Sequence, residues 1–272
     1  MKTFTFSTQN TRFAGVTWEP PQFDKVMILV HGIGEYTARY APVAEYFSQH
    51  GFLVTGIDHY GHGNSEGKKG ASKGMNFVFD YLQAFLDKVI QKYNKPVVLY
   101  GHSMGGGVTT GFILHRQPRI AAAVISAPML LLPSDPSTFL KRMAGIAASI
   151  FPNIIIRQPL DINKISRDPV EVEKFKNDPL RHDKMTLLLG ASMLQNGDWC
   201  LQHADRLQVP TLLMHGNADE FTNVKGSRLF AARAPRQLLT YKEWNGLYHE
   251  IHNELNKKDV WQFTLNWLQT VP

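Results

Sequence analysis

Five residues, Gly101-His102-Ser103-Met104-Gly105, stand between a short β-branched run, Val97 to Tyr100, and an apolar stretch of helical character. A serine there projects its hydroxyl clear of the backbone only if the chain turns sharply, and small residues two before and two after it keep neighbouring side chains from colliding. Gly101 and Gly105 meet that need, and Gly106 and Gly107 let the following helix pack close. A buried strand, a strained turn and a helix lying back across the sheet form the repeating unit of an α/β fold, and G-x-S-x-G in that context reads as a nucleophile elbow. The helix N-terminus beneath Ser103 also favours negative charge there.

The rest of the chain repeats the pattern. Val26 to Val30, Phe52 to Ile57, Val97 to Tyr100 and Ala121 to Ser126 are short apolar runs, as strands buried on both faces should be. Tyr40 to His50 and Met75 to Tyr93 are helical in spacing, with Phe77, Tyr81, Phe85, Val89 and Tyr93 recurring every four residues. A further helix is expected after Gly107. Thr3 to Ser7 and Arg12 to Glu19 alternate around Gln9-Asn10 and predict an antiparallel entry hairpin. The alternation breaks near Pro128 and resumes at Val209 to Met214, followed by a strand at Gln237 to Lys242 and a terminal helix at Val260 to Leu268. The interruption holds six of the fifteen prolines (Pro133, Pro136, Pro152, Pro159, Pro169 and Pro179) and no strand-like alternation. It predicts a mainly helical insertion at 130–206 in a body made of 1–129 and 207–272. Its first helix, Ser137 to Phe151, places Phe139, Leu140, Met143, Ile146, Ala147 and Ile150 on one face.

The 272 residues carry a formal charge of +6, which raises the question of a polyanionic partner. Between Leu130 and Asp205 the charges cancel, nine of each sign, so the whole excess belongs to the body. There it is scattered, without an aromatic-interleaved stripe, and nucleic-acid binding is not expected. The single cysteine, Cys200, excludes an intramolecular disulfide and a multi-cysteine zinc site, and it has no arguable role. No apolar segment follows Lys2, and apolar runs such as Ala144 to Phe151, itself broken by Ser149, fall short of the roughly twenty residues a span needs. The expectation is a cytoplasmic protein without a membrane span.

A serine nucleophile needs a base, and the base needs an orienting carboxylate; in a strand–elbow–helix fold they follow in the order serine, acid, histidine. The acid belongs in the loop after a late strand. Thr211 to Met214 leads into His215-Gly216-Asn217-Ala218-Asp219-Glu220, which makes Asp219 the first choice and Glu220 the reserve. Beyond the last strand lies Tyr248-His249-Glu250-Ile251-His252, where His249 is nearer the strand end and His252 falls on a short helical turn. Two histidines three apart cannot both reach Ser103, and His249 is preferred. Attack on a carbonyl also builds an oxyanion that needs two preorganised donors. The backbone N–H of Met104 supplies one, and that of Ile33, in His31-Gly32-Ile33-Gly34-Glu35 directly after a strand, supplies the other. The Asp58 to Gly67 segment reads as a loop in which Asp58 satisfies backbone donors, not as a metal site. No carboxylate–histidine spacing suggests a metal, and no cofactor is implied.

Taken in order, HGIGEYTARY (His31 to Tyr40), DHYGHGNSEG (Asp58 to Gly67), GHSMGG (Gly101 to Gly106), LLMHGNADEFT (Leu212 to Thr222) and YHEIHNE (Tyr248 to Glu254) resemble the α/β-hydrolase superfamily. Within it they are similar to the monoacylglycerol lipase-like branch, also described as serine aminopeptidase or lysophospholipase-like, and the likeness covers nearly the whole chain. The resemblance implies a mostly parallel central sheet flanked by helices, a triad of Ser103, Asp219 and His249, oxyanion donors at Ile33 and Met104, and no cofactor. It further implies hydrolysis of a carboxylic ester, above all a single-chain lipid such as a monoacylglycerol, through an acyl-enzyme. The insertion would be a cap whose amphipathic helix covers the entrance and meets a lipid surface. The same branch includes peptidases, which would need an acidic cap residue, Glu171, Glu173 or Asp183, for the substrate's ammonium. A non-catalytic binding protein of this fold is the third reading, and the intact serine, acid and histidine count against it. Halide- and epoxide-processing relatives place Asp at the elbow. Two departures from the family wording are Ile33, where a smaller residue is usual, and Asn245-Gly246-Leu247 before His249.

Overall fold

The computed structural model describes residues 1–157 and 161–271, so Pro159 lies outside the described residues. β1 (Lys2–Thr8) and β2 (Thr11–Trp18) form an antiparallel hairpin in which Gln9 and Asn10 both take φ of 52°. Two consecutive positive φ values are what a two-residue hairpin loop needs to match the strand twist. β2 then pairs antiparallel with β4 (Phe52–Ile57), and from there every pairing is parallel: β4 to β3 (Lys25–Val30), then β5 (Val97–His102), β6 (Ala122–Ser126), β9 (Thr211–Gly216) and β10 (Leu239–Trp244).

Strand alternation divides the interior in two. Val26, Ile28 and Val30 of β3, with Val97 and Leu99 of β5, face a core shared with α2 (Met75–Tyr93) and α3 (Met104–Arg116). Met27 and Leu29, with Val98 and Tyr100, face the opposite core, covered by α1 (Ala41–Gln49) and α8 (Lys257–Thr270). α2 stops at Asn94, whose φ of 47° gives the left-handed exit that Asn tolerates. The fold is therefore an eight-stranded, mostly parallel sheet with helices on both faces.

Between β6 and β9 lie α4 (Thr138–Ile150), β7 (Ile155–Arg157), α5 (Pro169–Asn177), β8 (Lys184–Thr186) and α6 (Leu187–Gln202). The helix starts are locally encoded: Ser137, Asp168 and Thr186 each accept a first-turn N–H through the side chain, and Pro169 opens α5 where its missing N–H costs nothing. Two features differ from the sequence reading. β7 and β8 form a small antiparallel ribbon, pairing Ile156 with Met185, and three residues per strand are too few to show alternation. α3 begins at Met104, not after Gly107, because Gly105 to Gly107 are the helix's own first turns, pressed against neighbouring backbone. A Cβ on Gly105 would overlap the carbonyl oxygen of Val30, and one on Gly107 would come within 2.8 Å of the carbonyl oxygen of Met129.

The parts of this segment differ in polarity. α6 contributes Leu189, Met193, Cys200 and Leu201 to the core that also holds Val108 and Phe112 of α3. α4 turns its apolar face outward: Phe139 is 69% and Ile150 62% exposed, while the residues it buries are Ala148 and Lys141, the latter 7% exposed and paired with Asp135 and Asp198 at 2.7 and 2.6 Å.

Candidate active site

Because β3, β5, β9 and β10 run parallel, the loops that follow them leave the sheet at one edge, and the four sequence segments that carry candidate chemistry meet there. Ser103 sits between β5 and α3 with φ 56° and ψ −119°, a conformation costly for any residue other than glycine. The surroundings hold it in place. Its N–H donates to the carbonyl of Ser126, and its own carbonyl accepts from the amides of Gly107 and Met129.

Ser103 Oγ lies 2.9 Å from His249 Nε2, and His249 Nδ1 lies 2.7 Å from Asp219 Oδ2. Asp219 Oδ1 accepts the amides of Phe221 at 2.7 Å and Thr222 at 3.1 Å. Oδ2 also lies 3.1 Å from His215 Nε2 and 2.8 Å from the Thr222 hydroxyl. Burial alone would raise the Asp219 carboxyl, but the imidazole of His249 and the hydrogen bonds from His215 and His249 hold it well below the usual carboxylate range. Burial opposes a charged His249, yet Asp219, with Glu250 and Glu35 farther off, raises it above the ordinary imidazole value. The ring of His249 is stacked on Phe221, 4.9 Å away, and is flanked by His102 at 4.7 Å.

The loop after β3, expected to carry an oxyanion donor, lies directly against the serine, since a Cβ on Gly32 would come within 3.2 Å of Ser103 Cβ. Among the described residues, the hydrogen bonds of these loops include none from the amides of Ile33 or Met104. The Ile33 side chain is half-buried against the main core.

The reserve residues are placed elsewhere. Glu220 is exposed and pairs with Lys164 at 2.8 Å. His252, on a short 3-10 turn, stacks on Tyr40 at 5.1 Å, and burial lowers its pKa to about 4. His102 faces the Ser126 hydroxyl at 3.3 Å. Asp58 takes the amides of Thr37 and Asn64, one on each oxygen, as a loop-folding carboxylate does. Among the described residues no group of three or more His, Cys, Asp or Glu is placed to hold a metal.

Two groups around the site went unread in the sequence. One is a buried charge cluster in which Arg39 bridges Glu35 (2.7 Å) and Glu250 (2.6 and 2.9 Å). Glu35 in turn accepts the Gly32 amide and the Tyr40 hydroxyl, so the cluster ties the loop after β3 to the loop carrying His249. Burial raises Glu35 and works against ionisation of Glu250, which the Arg39 guanidinium nevertheless brings down to about 2. The other is His215, whose place next to last in β9 was the available signal.

The family model described as "Serine aminopeptidase, S33" matches residues 21–256. The chain is 32% identical over 267 residues to a monoacylglycerol lipase of Mycolicibacterium smegmatis, covering 94% of this chain and 95% of that one. It is 30% identical over 256 residues to an uncharacterized abhydrolase domain-containing protein of Dictyostelium discoideum, of whose length it spans 27%. Among solved structures, the monoacylglycerol lipase of Paleococcus ferrophilus superposes with a TM-score of 0.85 at 29% identity, covering 94% of this chain and 98% of that one. With its sheet order, its strained serine after β5 and a family match over most of its length, the chain belongs to the serine aminopeptidase S33 family of α/β-hydrolases.

Proposed function

We propose that this carboxylic ester hydrolase cleaves monoacylglycerols to fatty acid and glycerol through an acyl-enzyme on Ser103. The observation that carries the reading is the continuous line from Ser103 Oγ to His249 at 2.9 Å and on to Asp219 at 2.7 Å, with Ser103 and His249 buried and the Asp219 side chain shielded from solvent. Neutral His249 takes the serine proton through Nε2 as Oγ attacks the ester carbonyl, and Asp219 stabilises the imidazolium that forms. The amides of Ile33 and Met104 bind the oxyanion, each worth roughly a hundredfold or more in rate. His249 then protonates the departing glycerol, and water removes the acyl group by the same steps. The names of the Mycolicibacterium and Paleococcus relatives support the choice of substrate.

In the same reading, 130–206 is a cap on a body of 1–129 and 207–272, and α4 is its lipid-facing element. Phe139, Leu140, Met143, Ile146 and Ile150 are exposed, continued by Phe151 and Ile154 to Ile156. Each such side chain contributes up to about 2 kcal/mol when it leaves water for an apolar phase. Among the described residues no helix is long and apolar enough to cross a membrane, so the contact proposed is superficial.

A peptidase of this branch would need a free acidic group for the substrate's ammonium, and the three acidic residues open to that role are engaged. Glu171 pairs with Lys257 at 2.9 Å and Lys174 at 3.2 Å, Asp183 pairs with Arg157 at 2.7 Å, and Glu173 accepts from Asn177. Turnover of monoolein, p-nitrophenyl butyrate and an aminoacyl amide by the purified protein tests the choice. Ester cleavage with monoolein preferred is expected; amide turnover without ester turnover would overturn the reading.

A further inference from the structure

His215 is a buried histidine that the mechanism above does not use. It lies on β9, with its side chain fully shielded from solvent, and both ring nitrogens have partners. Nδ1 is 2.7 Å from the hydroxyl of Ser227, a buried residue of α7 (Val224–Arg233), and Nε2 is 3.1 Å from Asp219 Oδ2. The Thr222 hydroxyl, which also reaches the carbonyl of Ala127, lies 3.3 Å from the same Nε2.

These contacts select one tautomer. A proton on Nδ1 would leave the Nε2 lone pair pointing at a carboxylate oxygen 3.1 Å away, two acceptors face to face in a site without solvent. A proton on Nε2 satisfies every group in order. The Ser227 O–H donates to Nδ1, Nε2–H donates to Asp219 Oδ2, and the same oxygen accepts His249 Nδ1–H at 2.7 Å. One carboxylate oxygen thus receives an imidazole N–H from each side, one from the histidine that meets Ser103 and one from a histidine rooted in the sheet.

We propose that His215 is a positioning residue for the reaction, which fixes the direction and basicity of the Asp219 carboxylate that orients His249. The inference rests on the reading of Asp219 as the triad acid. The amides of Phe221 and Thr222 restrain Oδ1, and His215, together with the Thr222 hydroxyl at 2.8 Å, restrains Oδ2, so the carboxylate cannot rotate away when His249 becomes charged. It also draws charge from the oxygen that faces His249. Without that donor the carboxylate holds its negative charge more strongly against the imidazolium, and His249 takes up a proton at higher pH. The other groups facing His249 are Ser103, His102 and Phe221, with His252 and the charges of Glu35 and Glu250 farther off; the hydrogen-bond partners of His215 are Ser227, Asp219 and Thr222 and include none of these.

The test compares His215→Leu, His215→Gln and Asp219→Asn by the pH profile of kcat/KM on p-nitrophenyl butyrate, with 15N–1H correlation of the imidazoles in the unmodified protein. The leucine variant is expected to lose about tenfold in kcat, the value of one hydrogen bond to a charged group, with KM little changed and the acidic limb moved to higher pH. The glutamine variant, whose amide N–H2 reaches where Nε2–H does, should restore both within a few-fold. The unmodified protein, with His215→Gln as the assignment control, should show His215 protonated at Nε2, a readout that survives if His215→Leu does not fold. A proton on Nδ1, an unmoved acidic limb in a folded leucine variant, or equal losses in the leucine and glutamine variants would overturn the proposal. If Asp219→Asn keeps full activity, the triad reading itself fails and the role of His215 with it. If Asp219→Asn loses activity while His215→Leu does not, only the role of His215 is lost.

Discussion

At the scale of single residues, the proposed mechanism depends on His249 being neutral before attack and charged after it. Burial works against the cation and the Asp219 carboxylate works for it, and the carboxylate wins, so the pKa lies above the ordinary 6.5. Activity requires the neutral form, so kcat/KM is expected to fall as pH drops through a midpoint above 6.5, with p-nitrophenyl butyrate as the soluble substrate. A midpoint at or below 6.5 would show that Asp219 does not govern His249. That Ser103, Asp219 and His249 come together was legible because each follows a recognisable strand, and a parallel sheet brings those loops to one edge. The partners of these residues were not. Arg39 and Glu250 are 211 positions apart, and nothing local in either segment announces that they pair. His215 and Asp219 are four residues apart, but their contact depends on how the turn after β9 folds back.

At the scale of elements, α4 separates what periodicity encodes from what it leaves open. The spacing of Phe139, Leu140, Met143, Ile146 and Ile150 predicted one apolar face, and the helix forms over Thr138–Ile150. Which way that face points is decided by the opposite side, where Lys141 is held between Asp135 and Asp198, and Ala148 is small enough to pack inward. A paired lysine under the helix and phenylalanine over it reverse the usual polarity of a helix lying on a core. If this face meets lipid, Phe139→Asp with Ile150→Asp should lower binding to phosphatidylcholine vesicles and turnover of micellar monoolein about tenfold. Turnover of p-nitrophenyl butyrate in water should stay within twofold. Equal losses on both substrates would show that the face serves folding or the site itself. The ribbon of β7 and β8 was missed for a simpler reason: each strand is stabilised by its partner about thirty residues away, not by its own pattern.

At the scale of the whole molecule, the mostly parallel sheet and its helical layers followed from alternating apolar runs, because a strand buried on both faces has little compositional freedom. The interior also holds an unusual number of histidines, and these set its response to acid. His31, His59, His62, His102 and His252 are buried, and burial lowers the pKa of each, that of His62 to about 3 and of His252 to about 4. Below about pH 6.5 the unfolded chain binds protons that the folded chain refuses, so stability is lost as pH falls through that range. His249 acts in the opposite sense, its contribution being present below its unfolded value, but it is one group against these five and the less buried His115 and His182, which are also lowered. The thermal midpoint is therefore expected to fall continuously from pH 7 to pH 4.5, before most carboxylates titrate. A midpoint that holds steady down to pH 5 would mean that these histidines are accessible to protons in the folded state.

The central claim is that Ser103 is a nucleophile activated by His249 and Asp219, and covalent labelling addresses it without assuming any substrate. Treatment with a fluorophosphonate at neutral pH, followed by peptide mapping, should place one phosphonyl group on Ser103. Labelling should disappear in Ser103→Ala and slow by orders of magnitude in Asp219→Asn, while Glu220→Gln labels at the unmodified rate. No modification of Ser103 in the folded protein, or labelling as fast in Asp219→Asn as in the parent, would contradict the account.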